Sequence, residues 1–395
     1  MTAEVYGSAK MNSKHGGDWV SYEEAYGKKA LDFSASISPF PMPERVRKAA
    51  QEALEREDRY PDPNQRRLRR AIAEAYSLQE EEILCGNGAA DLIWRLAAAL
   101  QPGRVLITEP SFGEYRAALE WYGHEVRGYS LRKETGFLLQ EDFLEMLTDD
   151  IDVAILCEPN NPTGLTTEKE LFLQIAQRCG ENRILLVVDE SFQDFLDPKE
   201  HPSMLENLYQ WPLLVIRSFT KLYAMASLRL GWCACSDTKL LRKMQLSGQP
   251  WPVSYPAEEA GIAALAQKEH AKTVRKQINR ERNRLIGELK RLGCYVVEGE
   301  ANYLLFYDPL IELGSALQDR GILLRDCSNF EGLGTGWYRA AVRSEADNRT
   351  LIRAMEEVHG EMYYGSGNDV RGGQKSADNG PVPDFPAGRP AGRTF

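Results

Sequence analysis

Lys221 is the residue of this sequence best suited to chemistry. It stands in Ser218-Phe-Thr-Lys221, directly after the apolar run Leu213–Arg217. A lysine at the exit of a buried strand loses hydration, so its amine gives up a proton readily and can form a Schiff base with a carbonyl. An isolated lysine is ordinarily a solvated surface charge. Here the apolar stretches on both sides, Leu213–Arg217 and Leu228–Cys233, work against exposure. Arg229 follows. Ser218, Thr220 and Arg229 together offer two hydroxyls and a guanidinium fork, a donor set that suits a phosphate. Upstream, Cys85-Gly-Asn-Gly88-Ala89-Ala-Asp91 joins a short strand to the helix-like segment Asp91–Leu100. Small residues let the backbone approach an anion, and a helix start supplies N–H groups and the positive end of a dipole. The competing reading of that turn is a plain strand-to-helix connection.

Two further strand ends carry polar groups. Glu158-Pro-Asn160-Asn161-Pro-Thr-Gly164 follows Ile151–Cys157, and Asp189 closes Ile184–Val188. A carboxylate there can pair with a protonated ring nitrogen or merely cap a helix. Open α/β sheets place ligands at the carboxyl ends of their strands. Four such ends, at 85, 157, 188 and 217, carry phosphate-binding or carboxylate groups, and this convergence is the argument.

The elements around them fit that requirement. Arg104–Thr108, Ile151–Cys157, Ile184–Val188, Leu213–Arg217 and Leu230–Ala234 are continuous apolar runs, as expected for strands buried on both faces. Helical patterns fall at Glu44–Arg56, Arg66–Tyr76, Asp91–Leu100, Phe112–Tyr122 and Thr167–Cys179. The last opens with Thr167-x-x-Glu170, a capping box. The fold class read from this is α/β, with a mostly parallel sheet in a large domain. From Glu258 the pattern changes. Glu258–Leu292 reads as one charged amphipathic helix, or the same helix broken once. Strands at Cys294–Val297, Tyr303–Tyr307 and near Trp337–Val342 and helices at Ile311–Arg320 and Asp347–His359 complete a smaller α+β domain. The expected division is 1–45 (N-terminal arm and part of the small domain), 46–265 (large domain), 266–360 (small domain) and 361–395, a Gly/Pro-rich disordered tail.

Composition narrows the function classes. Lys+Arg 48 against Asp+Glu 58 leaves a net charge of −10, which disfavours a general nucleic-acid binder. No apolar run is long enough to span a bilayer, and Met1–Lys10 lacks the apolar core of a secretion signal. The seven Cys are scattered without a metal-binding spacing, which suits a reducing cytoplasm and no metal. His124, His201, His270 and His359 read as surface or capping residues, Cys233 and Cys235 as core, and Arg66–Arg70 as a solvated helix face. Arg343 could bind substrate or pair with Glu345 or Asp347.

His15-Gly-Gly17, Asp32-Phe-Ser34, Asp189-Glu-Ser-Phe-Gln-Asp-Phe195, Thr220-Lys-Leu-Tyr-Ala224, Arg325-Asp-Cys-Ser-Asn-Phe330 and Arg339-Ala-Ala-Val-Arg343 add specificity. Together with the motifs above, over residues 14–359, they resemble the fold-type I pyridoxal-phosphate enzymes of the class I/II aminotransferase superfamily. Within it the likeness runs to the threonine-phosphate decarboxylase branch of cobalamin biosynthesis. The resemblance implies the pyridoxal-phosphate-dependent transferase fold, as in aspartate aminotransferase, and pyridoxal 5'-phosphate as cofactor. It further implies that Lys221 is the Schiff-base lysine, that Asp189 pairs with the ring nitrogen and that Asn161 bonds the ring hydroxyl. Phe112 then stacks on the ring, and Gly88, Ala89, Ser218, Thr220 and Arg229 cradle its phosphate. Tyr60 matches a tyrosine that reaches the neighbouring subunit's cofactor, which implies a homodimer. Arg339 matches the arginine that grips the substrate carboxylate. His15 and Arg325, with Asn161, are the candidates for a small phosphorylated amino-acid substrate.

Two departures matter. Phe192 stands where many relatives carry a tyrosine, and Ser36 and Ser38 replace asparagines beside the expected substrate pocket. The activity implied is decarboxylation of L-threonine O-3-phosphate, or of O-phospho-L-serine. Transamination of histidinol phosphate on the same constellation is the alternative, and a non-catalytic regulatory protein is the alternative from another class.

Overall fold

The computed structural model describes residues 15–56, 58–310 and 312–365. The strands, in chain order, are β1 (Leu31–Asp32), β2 (Ile83–Gly86), β3 (Arg104–Glu109), β4 (Glu125–Ser130), β5 (Val153–Cys157), β6 (Leu185–Asp189), β7 (Leu213–Ser218), β8 (Gly231–Cys235), β9 (Tyr295–Val297), β10 (Tyr303–Tyr307), β11 (Ile322–Leu323), β12 (Arg325–Asp326) and β13 (Trp337–Ala341). The helices are α1 (Trp19–Tyr26), α2 (Glu44–Ala53), α3 (Arg66–Tyr76), α4 (Ala89–Ala99), α5 (Glu114–Trp121), α6 (Phe143–Met146), α7 (Lys169–Asn182), α8 (Thr238–Leu246), α9 (Tyr255–Leu265), α10 (Lys268–Arg291), α11 (Leu313–Asp319) and α12 (Glu345–Gly365).

Seven strands form one sheet in the order β2-β8-β7-β6-β5-β3-β4. Only β8 runs antiparallel to its neighbours. Every residue of β2, β5, β7 and β8 is buried, which accounts for their unbroken apolar runs. Side chains on the two faces of the sheet fall into two apolar clusters. One, with Leu92, Leu96, Tyr115 and Leu119, packs under α4 and α5. The other, with Ile175, Leu186, Val215 and Leu230, lies on the opposite face. Because β2, β5, β6 and β7 run the same way, Gly86, Cys157, Asp189 and Ser218 end on one edge of the sheet, as the strand ends require.

The smaller antiparallel sheet has the order β12-β13-β10-β9, and β1 pairs in parallel with β11. The N-terminal segment thus joins the C-terminal part of the chain. The turn Asp32–Ser34 links the two small sheets: Phe33 N donates to Leu323 O at 2.8 Å, and Ala341 N donates to Phe33 O at 2.8 Å.

Several local expectations are decided or revised. The long charged segment takes its broken alternative, two helices separated at Ala266–Gln267. The buried, Ala-rich α9 packs on α2 and α3, while the charged α10 runs on to the small sheet. The capping box before α7 does not form, because the Thr167 N–H and hydroxyl are both taken by the buried Glu158 carboxylate, and α7 begins at Lys169. Strand β4 has mixed polarity because it edges the sheet, so no apolar run announces it. The last helix continues past His359 to Gly365; the rest of the Gly/Pro-rich stretch, 366–395, lies outside the described residues. Of its two alternatives, surface or capping, His124 takes the second: it is buried, with Nε2 3.1 Å from Ala97 O in the last turn of α4. His270 is half-buried, and its enclosed Nε2 has no hydrogen-bond partner among the described residues. Arg343 takes the structural alternative, with Nε on Asp347 at 3.1 Å and Nη1 on Asp32 O at 3.1 Å.

Candidate functional site

Lys221 lies just past the end of β7, in a turn held by Ser38 N donating to its carbonyl at 2.9 Å. Its Nζ is 5.7 Å from the centre of the Phe192 ring. Burial, then the charges of Arg339 and Arg229, hold its pKa down to about 8, against the pull of Asp189. The amine is therefore partly neutral near physiological pH, the state in which it acts as a nucleophile.

Asp189 ends β6 and is buried. Its Oδ1 accepts from Ser191 N at 2.9 Å and its Oδ2 from the Tyr115 hydroxyl at 2.7 Å. Burial raises its pKa, and these two bonds oppose that rise. It is therefore not a helix cap. It is a carboxylate deep in the site with fixed donors, placed to meet a cationic partner. Beside it, Glu190 takes Arg217 Nη1 at 2.7 Å, which ties the end of β6 to the residue before Ser218 on β7. Breaking such a buried pair by removing one partner typically costs about 3–5 kcal/mol.

The phosphate-suited groups meet at the start of α4. Gly88 caps this helix with φ +83°. A φ of +83° is a conformation that L side chains rarely adopt, which calls for glycine here, and the Arg229 guanidinium lies against this helix start, with Nη2 2.6 Å from where a Cβ would stand. A Cβ on Gly231 would likewise stand 2.7 Å from Ala89 N, so glycine at the first residue of β8 admits α4 itself. The Ser218 and Thr220 hydroxyls lie 2.7 Å apart, both buried. Ser218 pairs with Gly231 across β7 and β8, which brings the end of β7 beside the start of α4 and its neighbour Arg229.

On the other side, Arg339 is buried on β13. Its Nη1 donates to Asn161 Oδ1 and its Nη2 to Ser34 O at 3.0 Å; its Nε is buried and has no hydrogen-bond partner among the described residues. Arg325 on β12 sits directly opposite Arg339 in the antiparallel register. It donates through Nη2 to Asn329 Oδ1 at 2.9 Å and lies over the Phe330 ring, and burial lowers its pKa. Phe112 packs edge-on to Tyr115, with ring centres 5.7 Å apart, and the His15 ring lies 5.9 Å from Phe112.

A model of the family described as "Aminotransferase class I and II" matches residues 28–355. The chain belongs to this family. Among its relatives, a threonine-phosphate decarboxylase of Salmonella typhimurium is 38% identical over 359 residues, covering 89% of this chain and 98% of that protein. An adenosylcobalamin biosynthesis bifunctional protein of Leptospira interrogans is 29% identical over 379 residues, covering 92% of this chain and 42% of that longer protein. The solved structure of a histidinol-phosphate aminotransferase from Clostridium acetobutylicum superposes with a TM-score of 0.78 at 29% identity, covering 83% of this chain and 99% of that one. This class I/II chain has the aspartate aminotransferase-like fold and pyridoxal phosphate as its cofactor. The residues present fit that group: an amine of lowered pKa, a buried carboxylate with fixed donors, and a helix start, two hydroxyls and a guanidinium whose donors suit a phosphate.

Of the residues singled out in the sequence, Lys221, Asp189, Asn161, Arg339, Arg229, Gly88, Ala89, Ser218, Thr220, Phe112, Arg325 and His15 are linked by the contacts above. Tyr60 is apart: it is 82% exposed and stacks on Trp251, with ring centres 4.8 Å apart. Tyr115 and Ser34 are partners that sequence reasoning missed. Tyr115 had a signal, since it lies one helical turn after Phe112. Ser34 meets Arg339 through its backbone carbonyl, which any residue carries.

Proposed function

We propose that this protein decarboxylates a small amino acid carrying a phosphate, with L-threonine O-3-phosphate as the substrate and (R)-1-amino-2-propanol O-2-phosphate, a cobalamin side-chain precursor, as the product. The observation that carries the reading is the register pair Arg325–Arg339. Two buried like charges placed directly opposite on adjacent strands repel each other. A substrate that brings both a carboxylate and a phosphate relieves that repulsion. The 38% identity to the Salmonella decarboxylase supports the same choice.

Pyridoxal phosphate, when bound, supplies the electron sink that lets a bond at the substrate Cα break heterolytically. Lys221 would be its covalent anchor in the resting enzyme. Asp189 would meet its ring nitrogen, Asn161 its ring hydroxyl and Phe112 its face. Gly88, Ala89, Ser218, Thr220 and Arg229 would hold its phosphate. Arg339 grips the substrate carboxylate, and Arg325 and His15 take the substrate phosphate. Fixing both ends of the substrate decides which Cα bond is presented for cleavage. The Cα–carboxylate bond breaks, CO2 leaves, and the bonding electron pair stays on the Cα side. The Lys221 ammonium then delivers one proton to Cα. Substrate and one proton give amine product and CO2. A lysine with a pKa of about 8 can hold and release that proton near neutral pH.

Tyr60 completes the site of a second copy, making the working form a homodimer; its exposure within one chain and its fixed stacking on Trp251 support this. The enzyme works in the cytoplasm, a reading that the seven free, buried cysteines support. Transamination is the second reading, supported by the likeness to the Clostridium structure. Side-by-side assays on threonine phosphate and serine phosphate test the substrate. Faster CO2 release from threonine phosphate is expected, and release from serine phosphate alone would replace it with the shorter substrate.

A further inference from the structure

We propose that Glu114 is the positioning residue for the substrate phosphate, acting through His15. The proposal rests on the reading above, in which His15 receives that phosphate.

Glu114 opens α5, where the helix start favours a carboxylate. Its two oxygens serve different parts of the chain. Oε1 lies 2.9 Å from His15 Nε2, and Oε2 accepts from Trp94 Nε1 on α4 at 2.8 Å. The carboxylate is thus held by the body of the protein on one side and holds the imidazole on the other.

The backbone of His15 is placed by a second set of contacts. Gly17 N donates to the Ser34 hydroxyl at 2.8 Å. A Cβ on Gly16 would stand 2.0 Å from Ser34 O, so this segment lies directly on Ser34. Ser34 O is the acceptor of Arg339 Nη2. The histidine therefore sits on a segment packed against the residue that orients Arg339. Its ring also lies 5.9 Å from that of Phe112, two residues before Glu114. A half-exposed imidazole on a glycine-flanked segment has many orientations to sample, and ordering it at the moment of binding weakens affinity. Glu114 sets the ring orientation beforehand. An ion pair that merely tied down the N-terminal segment would affect every substrate alike; a phosphate-positioning pair affects only those that carry phosphate.

The experiment uses the holoenzyme with Glu114→Gln, which keeps the shape and one acceptor oxygen but loses the charge and the second acceptor. The expected result is a KM for threonine phosphate raised about three- to tenfold, with kcat changed by less than about twofold. Competitive inhibition by inorganic phosphate should weaken by the same factor. Inhibition by L-threonine, which has no phosphate, should not change, and the melting temperature should stay at that of the wild type. Unchanged KM and phosphate inhibition would overturn the proposal, as would an equal loss toward L-threonine. A His15→Asn variant separates the two levels. If it weakens phosphate binding and Glu114→Gln does not, the Glu114 assignment alone fails. If it leaves phosphate binding intact, the underlying reading of His15 fails.

Discussion

The Tyr115 hydroxyl donates a 2.7 Å hydrogen bond to Asp189 Oδ2 in the buried floor of the site. Burial pushes the Asp189 pKa up, and this bond, with that from Ser191, pulls it down. The tyrosine therefore helps to keep a carboxylate anionic where solvation cannot. Tyr115→Phe leaves the ring packing in place and removes only the donor. A hydrogen bond to a charged group contributes about 1.5–3 kcal/mol, so cofactor affinity should fall roughly ten- to a hundredfold. Titrating apoprotein with pyridoxal phosphate measures this directly.

Gly88 tests the phosphate cradle. Gly88→Ala adds a Cβ 2.6 Å from Arg229 Nη2 and places it on a backbone with φ +83°. A non-glycine residue held in so sparsely populated a conformation costs about 1–3 kcal/mol, so cofactor binding should weaken roughly five- to a hundredfold. The same titration reads it. A Gly88→Ala protein that binds cofactor as the wild type does would remove this helix start from the phosphate site.

Lys221 carries a pH dependence with a definite sign. Its pKa is lowered to about 8, so the fraction of neutral amine rises with pH and levels off above that value. The rate of cofactor capture by apoprotein should rise with pH and reach a plateau above about 8, rather than near the 10.4 of an ordinary lysine. Lys221→Ala should abolish the cofactor adduct trapped by borohydride. An adduct on another lysine would contradict the assignment.

Tyr60 makes a prediction about two chains at once. Lys221→Ala and Tyr60→Phe proteins, each impaired alone, are mixed and allowed to exchange subunits. If Tyr60 serves the neighbouring site, each mixed dimer contains one site with both native residues, and activity reappears. No recovery after exchange would place the tyrosine's role elsewhere.

The sheet edge was legible because strands buried on both faces must be continuously apolar, and Asp189, Asn161 and Lys221 all follow such runs. Gly88 was legible as a turn, but its closeness to Arg229 was not, since β8 and α4 meet only in the folded chain. The register of Arg325 against Arg339 was hidden for a related reason: two-residue β12 has too short a pattern to read. Thr167 misled because its local capping signal competes with a distant carboxylate, and Glu158 wins. Nothing in the sequence singled out Glu114, because its partners, His15 and Trp94, lie on other elements.

The central claim is that fixing both anionic ends of the substrate selects the carboxylate bond for cleavage. The most direct test incubates the purified holoenzyme with L-threonine O-3-phosphate and, separately, with histidinol phosphate plus 2-oxoglutarate, and measures CO2 and glutamate together. One CO2 per amino-alcohol phosphate formed, with no glutamate in either mixture, is the predicted result. Glutamate formation without CO2 release would contradict it.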